Sequence, residues 1–173
     1  MALESMQDLL IHQLQDIYSA EKMLLKALPK MVERVGAEEL KAAFSHHLSE
    51  TQNQVTRLER IFKILDESPG GTKCKAMEGL IAEAEDMLGE DGNDAVIDAG
   101  IIADAQRVEH YEIAAYGSAK ALAALLGLTE VVKLLNETQV EETAADKKLS
   151  LIATTDVNAR AAGTDPSMAA RAS

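Results

Sequence analysis

Several acidic side chains stand where amphipathic helices should be apolar. Glu21 falls between Ile17 and Leu24 on a stripe that also holds Leu14, Leu28 and Met31. Glu112 interrupts a stripe of Ile101, Ala105, Val108, Ala115 and Ala119, and Glu109 lies one turn earlier on the same face. Glu142 interrupts Val131, Leu135, Thr138, Ala145 and Leu149, with Asp146 one turn further on. His47, Glu50 and Gln54 form a polar ridge beside the apolar face of Phe44, Leu48, Val55, Leu58 and Phe62. Steps of three and four put each set on one helix face. Glu21, Glu50, Glu112 and Glu142 therefore face inward near the midpoints of four helices.

A carboxylate taken out of water must be paired, protonated or metal-bound, because an isolated buried charge costs several kcal/mol. The inner stripes carry no lysine, and Arg57 is the one arginine near them. Two divalent metal ions would balance four carboxylates. Oxygen-rich ligands with an imidazole suit iron, manganese or, less selectively, zinc. His47, one turn from Glu50, is the candidate imidazole. His12, His46 and His110 are expected to face solvent or the flanks. Cys74 reads as an ordinary small residue.

Four helices must position these groups. The first is expected over Leu3 to Val35, bent at Pro29 and stopped by Gly36; the second over Glu38 to Asp66. Residues 67–93 form a long connection with glycines near both ends and a short amphipathic helix around Met77 to Leu88. The third long helix is expected over Asp94 to Leu126, and the fourth from an N-capping Thr129 to about Asn158. Hairpin, long crossover, hairpin is the connectivity of ferritin-like bundles. The hairpins look like distant repeats: Asp16 and Glu21 match Asp104 and Glu109 at an offset of 88, while Glu50 and Gln54 match Glu142 and Asp146 at 92. The expected organisation is one bundle domain over residues 1–158 and a loosely ordered tail over 159–173.

Composition agrees with an all-α fold: 47% of the 173 residues are apolar, 3% are aromatic and three are proline. A net charge of -12 argues against nucleic acid and anionic membrane surfaces as partners. One cysteine, no signal-like N-terminus and no apolar run long enough for a bilayer point to a soluble cytoplasmic protein.

The segments IYSAEKMLLKALPKM, HHLSETQNQVTRLERIF, CKAMEGLIAEAED, VEHYEIAAYG and ETQVEETAADKKL resemble the bacterial YciF family of ferritin-like proteins. That resemblance implies a four-helix ferritin-like fold, a di-metal centre, a link to bacterial stress responses and a homodimer. The wider superfamily draws one Glu from each of two helices and Glu-x-x-His from each of the other two. Glu21 and Glu109 or Glu112 match the lone acids. Asn53 follows Glu50 by three and Ala145 follows Glu142 by three, so neither motif is complete; His47, Gln54 and Asp146 are the substitutes on offer. The ligand set expected from the residues and the resemblance together is Glu21, His47, Glu50, Glu109, Glu112, Glu142 and Asp146. The function expected is a di-iron protein of stress protection that oxidises bound iron with oxygen or peroxide, the alternative being a non-catalytic helical structural protein without a functional metal. Tyr18, Tyr111 and Tyr116 are candidate redox or supporting residues.

Overall fold

The computed structural model describes residues 3–164. Helices α1 (Met6–Arg34) and α2 (Glu38–Leu65) form one hairpin, and α4 (Asp94–Leu125) and α5 (Thr129–Ile152) form another. The crossover between them carries α3 (Lys75–Leu88). No strand interrupts this order among the described residues, and no helix there is long and apolar enough to cross a membrane.

The helix ends follow from local chemistry, and some differ from expectation. The first helix starts at Met6 and not at Leu3, because Ser5 caps it by accepting a hydrogen bond from the Asp8 amide at 3.1 Å. Leu3 and Met6 are accordingly more than half exposed and lie outside the buried stripe. Pro29 stands within α1, which continues through it. That helix does not end on a left-handed Gly36. It ends in an extended Val35, and the Gly36 and Ala37 amides then donate to Asp98 of α4 at 3.0 and 2.9 Å. Asp98, almost fully buried, thereby ties the first hairpin's turn to the second hairpin. Gly127, at φ 71°, closes α4 in the left-handed conformation that glycine adopts without steric cost. Thr129 opens α5 without capping it: the cap position falls on Leu128, which offers no side-chain hydrogen bond. Beyond Ile152 the chain widens into a π-helical stretch (Ala153–Val157) and a last helical turn, α6 (Asn158–Ala161). Ala159, placed in the tail by sequence, is buried here. Residues 165–173, the rest of that tail, lie outside the described residues.

The helices pair antiparallel, so the core divides along the bundle axis. One apolar cluster joins Leu24, Leu28 and Met31 of α1 to Phe44 of α2 and Ile101 and Ile102 of α4. The other joins Leu10, Leu14 and Ile17 to Leu58 and Phe62 of α2 and Leu135 of α5. Helix α3 covers the first cluster, fitting closely over Gly100, where a Cβ would stand 2.6 Å from the Met87 sulfur. Between the clusters lies a buried polar layer of Glu21, His47, Gln54, Glu109, Glu112 and Glu142.

Candidate metal centre

Each acid in the layer reaches it from a helix whose register is fixed by apolar neighbours. On α2 the buried positions run His47, Thr51, Gln54 and Leu58, in steps of four, three and four. Glu50 is one step off that line. Its side chain keeps 22% of its surface and lies 3.2 Å from His46 Nδ1 and 3.7 Å from His47 Nδ1. Glu50 thus flanks the centre, and His47 occupies the inward position expected of Glu50. Asp146 is also displaced. On α5 the buried line passes through Thr138, Glu142 and Leu149, and Asp146 turns toward α4. There it accepts a hydrogen bond from Gln106 at 2.9 Å and meets the exposed His110 at 3.4 Å.

His47, Glu109, Glu112 and Glu142 each offer one ligand atom, and these atoms all lie within 4.8 Å of one another. His47 Nε2 stands 3.3 Å from Glu109 Oε1 and 3.8 Å from Glu142 Oε2. Glu21, fully buried, adjoins this group from α1. The Tyr116 hydroxyl donates to Glu21 Oε1 at 2.5 Å. The Gln54 amide donates to Glu142 Oε1 and, at 3.1 Å, to Glu141. Arg57 does not neutralise the layer, contrary to what its position in the sequence allowed. Its guanidinium forms a two-point pair with Glu141 at 2.5 and 2.7 Å and also donates to Thr138.

The carboxyls respond to this crowding. Burial, followed by the charge of Glu142, pushes Glu21 up from 4.5 to about 8. Burial likewise pushes Glu109 to about 8, with Glu21 and Asp146 among the charges that raise it. Glu112 and Glu142 are also raised, burial again being the first cause. Burial alone would lower His47, but the carboxylates of Glu50, Glu142 and Glu21 outweigh it and hold the imidazole above its ordinary value. Glu50, despite its own burial, is held below the usual carboxylate range by His47 and His46.

The donor set fits a hard or borderline divalent cation. Both nitrogens of His47, both oxygens of Glu112, and Oε2 of Glu21, Glu109 and Glu142 are buried without a hydrogen-bond partner. Unpartnered buried acceptors are rare in folded proteins because each forfeits its hydration. Metal coordination would engage one nitrogen of His47 and the carboxylate lone pairs, and would offset the gathered charge in one step.

Comparison with known proteins bears on the fold and the lineage. Residues 5–162 match the family described as Domain of unknown function (DUF892). Protein YciF of Escherichia coli strain K12 is 43% identical over 166 residues, spanning 93% of this chain and 98% of its own. The chain belongs to the YciF family. The solved structure of the Escherichia coli stress protein YciF superposes with a TM-score of 0.86 at 44% identity, over 90% of this chain and 98% of that one. YcfI of Rhodopseudomonas palustris gives 0.83 at 47% identity, over 86% and 94%. At 20% identity, a ferritin-like, diiron-carboxylate protein of Bacillus anthracis still superposes with a TM-score of 0.66, over 88% of this chain and 99% of its own. The family's bundle is thus ferritin-like in architecture, as the crossover connectivity implies.

Two supporting features were not assigned from sequence. Arg57–Glu141 was hidden because neither residue interrupts an apolar stripe. Asp98 was hidden because one acid near a helix start normally reaches solvent. Tyr116 was placed among several tyrosines, and nothing in the sequence separated its buried bond to Glu21 from ordinary packing. Cys74 is buried at the start of α3, with its sulfur 3.0 Å from the Tyr111 hydroxyl.

Proposed function

We propose that the polar layer binds two divalent metal ions, iron in preference to manganese or zinc, and that the loaded protein oxidises ferrous iron with oxygen or peroxide in bacterial stress protection. The observation that carries this reading is the convergence of His47, Glu109, Glu112 and Glu142 within 4.8 Å, with Glu21 alongside. His47 and the four carboxylates would hold the ions, and Glu50 adds a charge on the solvent side. Bound iron supplies the electrons that reduce the oxidant. The chain's own contribution is positional. Tyr116 fixes the Glu21 carboxylate, Gln54 fixes Glu142, and the apolar clusters on either side exclude bulk water. The homodimer implied by the family resemblance belongs to the same reading, and sedimentation equilibrium tests it.

Metal content of protein purified without chelator decides the first step. About two ions per chain are expected, lost in the Glu21→Ala/Glu142→Ala double variant. Metal-free protein that also refuses added iron would sink the proposal. The second step is read by following oxygen or peroxide consumption after adding ferrous iron, and a rate equal to the protein-free control would remove the oxidase.

A second reading has one observation in its favour. The upward displacement of Glu21 and Glu109 to about 8 lets buried acids persist in protonated form. On that reading the protein is a non-catalytic structural bundle, and the same elemental analysis separates the two.

A further inference from the structure

A cavity of about 390 Å³ opens between α2 and α5 and ends on the candidate metal centre. Its walls are largely hydrocarbon: Ala42, Ala43 and Phe44 from α2 face Ala144, Ala145 and Leu149 from α5. Ala42 and Ala43 on one helix and Ala144 and Ala145 on the other carry side chains too small to fill the space. At the rim the Glu39–Lys148 ion pair, 2.5 Å long, satisfies both charges with each other, and the Glu50 carboxylate, which also lines the cavity, lies 3.2 Å from His46 Nδ1. The floor is different. His47 and Glu109 reach it, 5% and 2% exposed, and His47 Nδ1, His47 Nε2 and Glu109 Oε2 have no hydrogen-bond partner. An apolar cleft of about 300–1,000 Å³ with a few convergent polar groups is the usual form of a small-molecule site.

We propose that this cavity binds a small, uncharged, mostly hydrocarbon molecule through its walls, with a single hydroxyl end directed at His47 and Glu109. The volume admits a body of up to about three rings. The paired rim charges offer nothing to a free anion, and the apolar walls penalise any charged group. A hydroxyl both donates and accepts, so on the floor it would partner polar atoms that are otherwise unsatisfied. Such a molecule binds the metal-free chain, because an ion in the centre would engage the same His47 and Glu109 atoms.

The test uses the full metal-free chain and the uncharged fluorescent probe N-phenyl-1-naphthylamine. Saturable binding of about one probe per chain is expected, weakened on the order of tenfold in Ala145→Phe, which fills the cleft. Ala43→Leu gives a milder version should the larger side chain disturb folding, which circular dichroism reports. p-Cresol should displace the probe about two- to tenfold more tightly than toluene, the difference of one hydrogen bond. No saturable binding, or equal affinity in folded wall variants, overturns the site; equal displacement by cresol and toluene overturns the directed hydroxyl. A wall variant that changes the sedimentation mass also overturns it, because a second copy of the chain would then cover the cleft. Elemental analysis stays independent, so failure of this site and failure of the metal centre are told apart.

Discussion

Replacing Glu21 with glutamine should stabilise the metal-free protein and weaken the metal-loaded one. Glu21 is fully buried, and its carboxyl is raised from 4.5 to about 8 by burial and by Glu142. Between those two values the folded chain holds a proton that the unfolded chain has released. Stability from this group is therefore complete below the lower value and is lost as pH rises through the upper one. Each pH unit across the interval removes about 1.4 kcal/mol, so by about pH 7 the loss is on the order of 3 kcal/mol. Glutamine keeps the shape and still accepts the Tyr116 hydroxyl bond, but carries no proton to lose. A change of 1 kcal/mol moves the melting temperature of a chain this size by about 2–4 °C. Glu21→Gln should thus melt several degrees above wild type in chelator at neutral pH, with the gap closing near pH 4.5, the ordinary value. Metal reverses the order. A ligand present at about 100 times its dissociation constant adds roughly 2.7 kcal/mol to the form that binds it. Wild type gains this and the variant gains less. Calorimetry from acid to mildly alkaline pH, with and without ferrous iron under nitrogen, reads both halves. A metal-free variant that melts well below wild type at neutral pH, with an undiminished response to iron, would refute the buried-charge account.

Three further substitutions probe the supports. His47→Ala should lower metal affinity by at least about tenfold while leaving the helical signal intact, measured by competition with a chelating dye. Tyr116→Phe removes the 2.5 Å bond to Glu21 and should cost about 10- to 100-fold in metal affinity, with no loss of the ligand atoms themselves. An unchanged dissociation constant would show that Glu21 needs no such anchor. Asp98→Ala strands the buried amides of Gly36 and Ala37 and should cost about 2–3 kcal/mol in urea unfolding, with metal per folded chain unchanged.

Much of this was legible in the sequence because helices write their packing as a period. The stripes of α1, α4 and α5 carried Glu21, Glu112 and Glu142 into the interior, and one turn of separation carried Glu109 with Glu112. The pattern is less decisive on α2, where the polar ridge is wide. His47, Glu50 and Gln54 sit within two turns, and a difference of one residue decides which of them faces in. Apolar neighbours do not settle that choice when Ala43 and Leu48 are themselves only half-buried. Asp146 is turned aside for a related reason. Gln106 and His110 on the neighbouring helix draw it sideways, and such a partner has no signature in the sequence of α5. Helix ends set by distant groups, such as the turn held by Asp98, are equally invisible to local pattern.

The structure also sharpens the internal repeat. Sequence matching paired Glu21 with Glu109 at an offset of 88 but Glu50 with Glu142 at 92. In the bundle it is Gln54 that meets Glu142, both fully buried, and Gln54 stands 88 residues before it. Gln54 and Glu142 are thus separated by the same 88 residues as Glu21 and Glu109, and at that offset the first hairpin presents an amide where the second presents a carboxylate. The substitution has a physical consequence. A carboxylate at position 54 would join Glu21, Glu109, Glu112 and Glu142 as a fifth buried acid, with His47 the one basic side chain in the layer among the described residues. The amide contributes no charge and donates a hydrogen bond that orients Glu142. Two hairpins that match only distantly thus build a polar layer whose halves are unequal, with the imidazole on one and the doubled acid Glu109–Glu112 on the other.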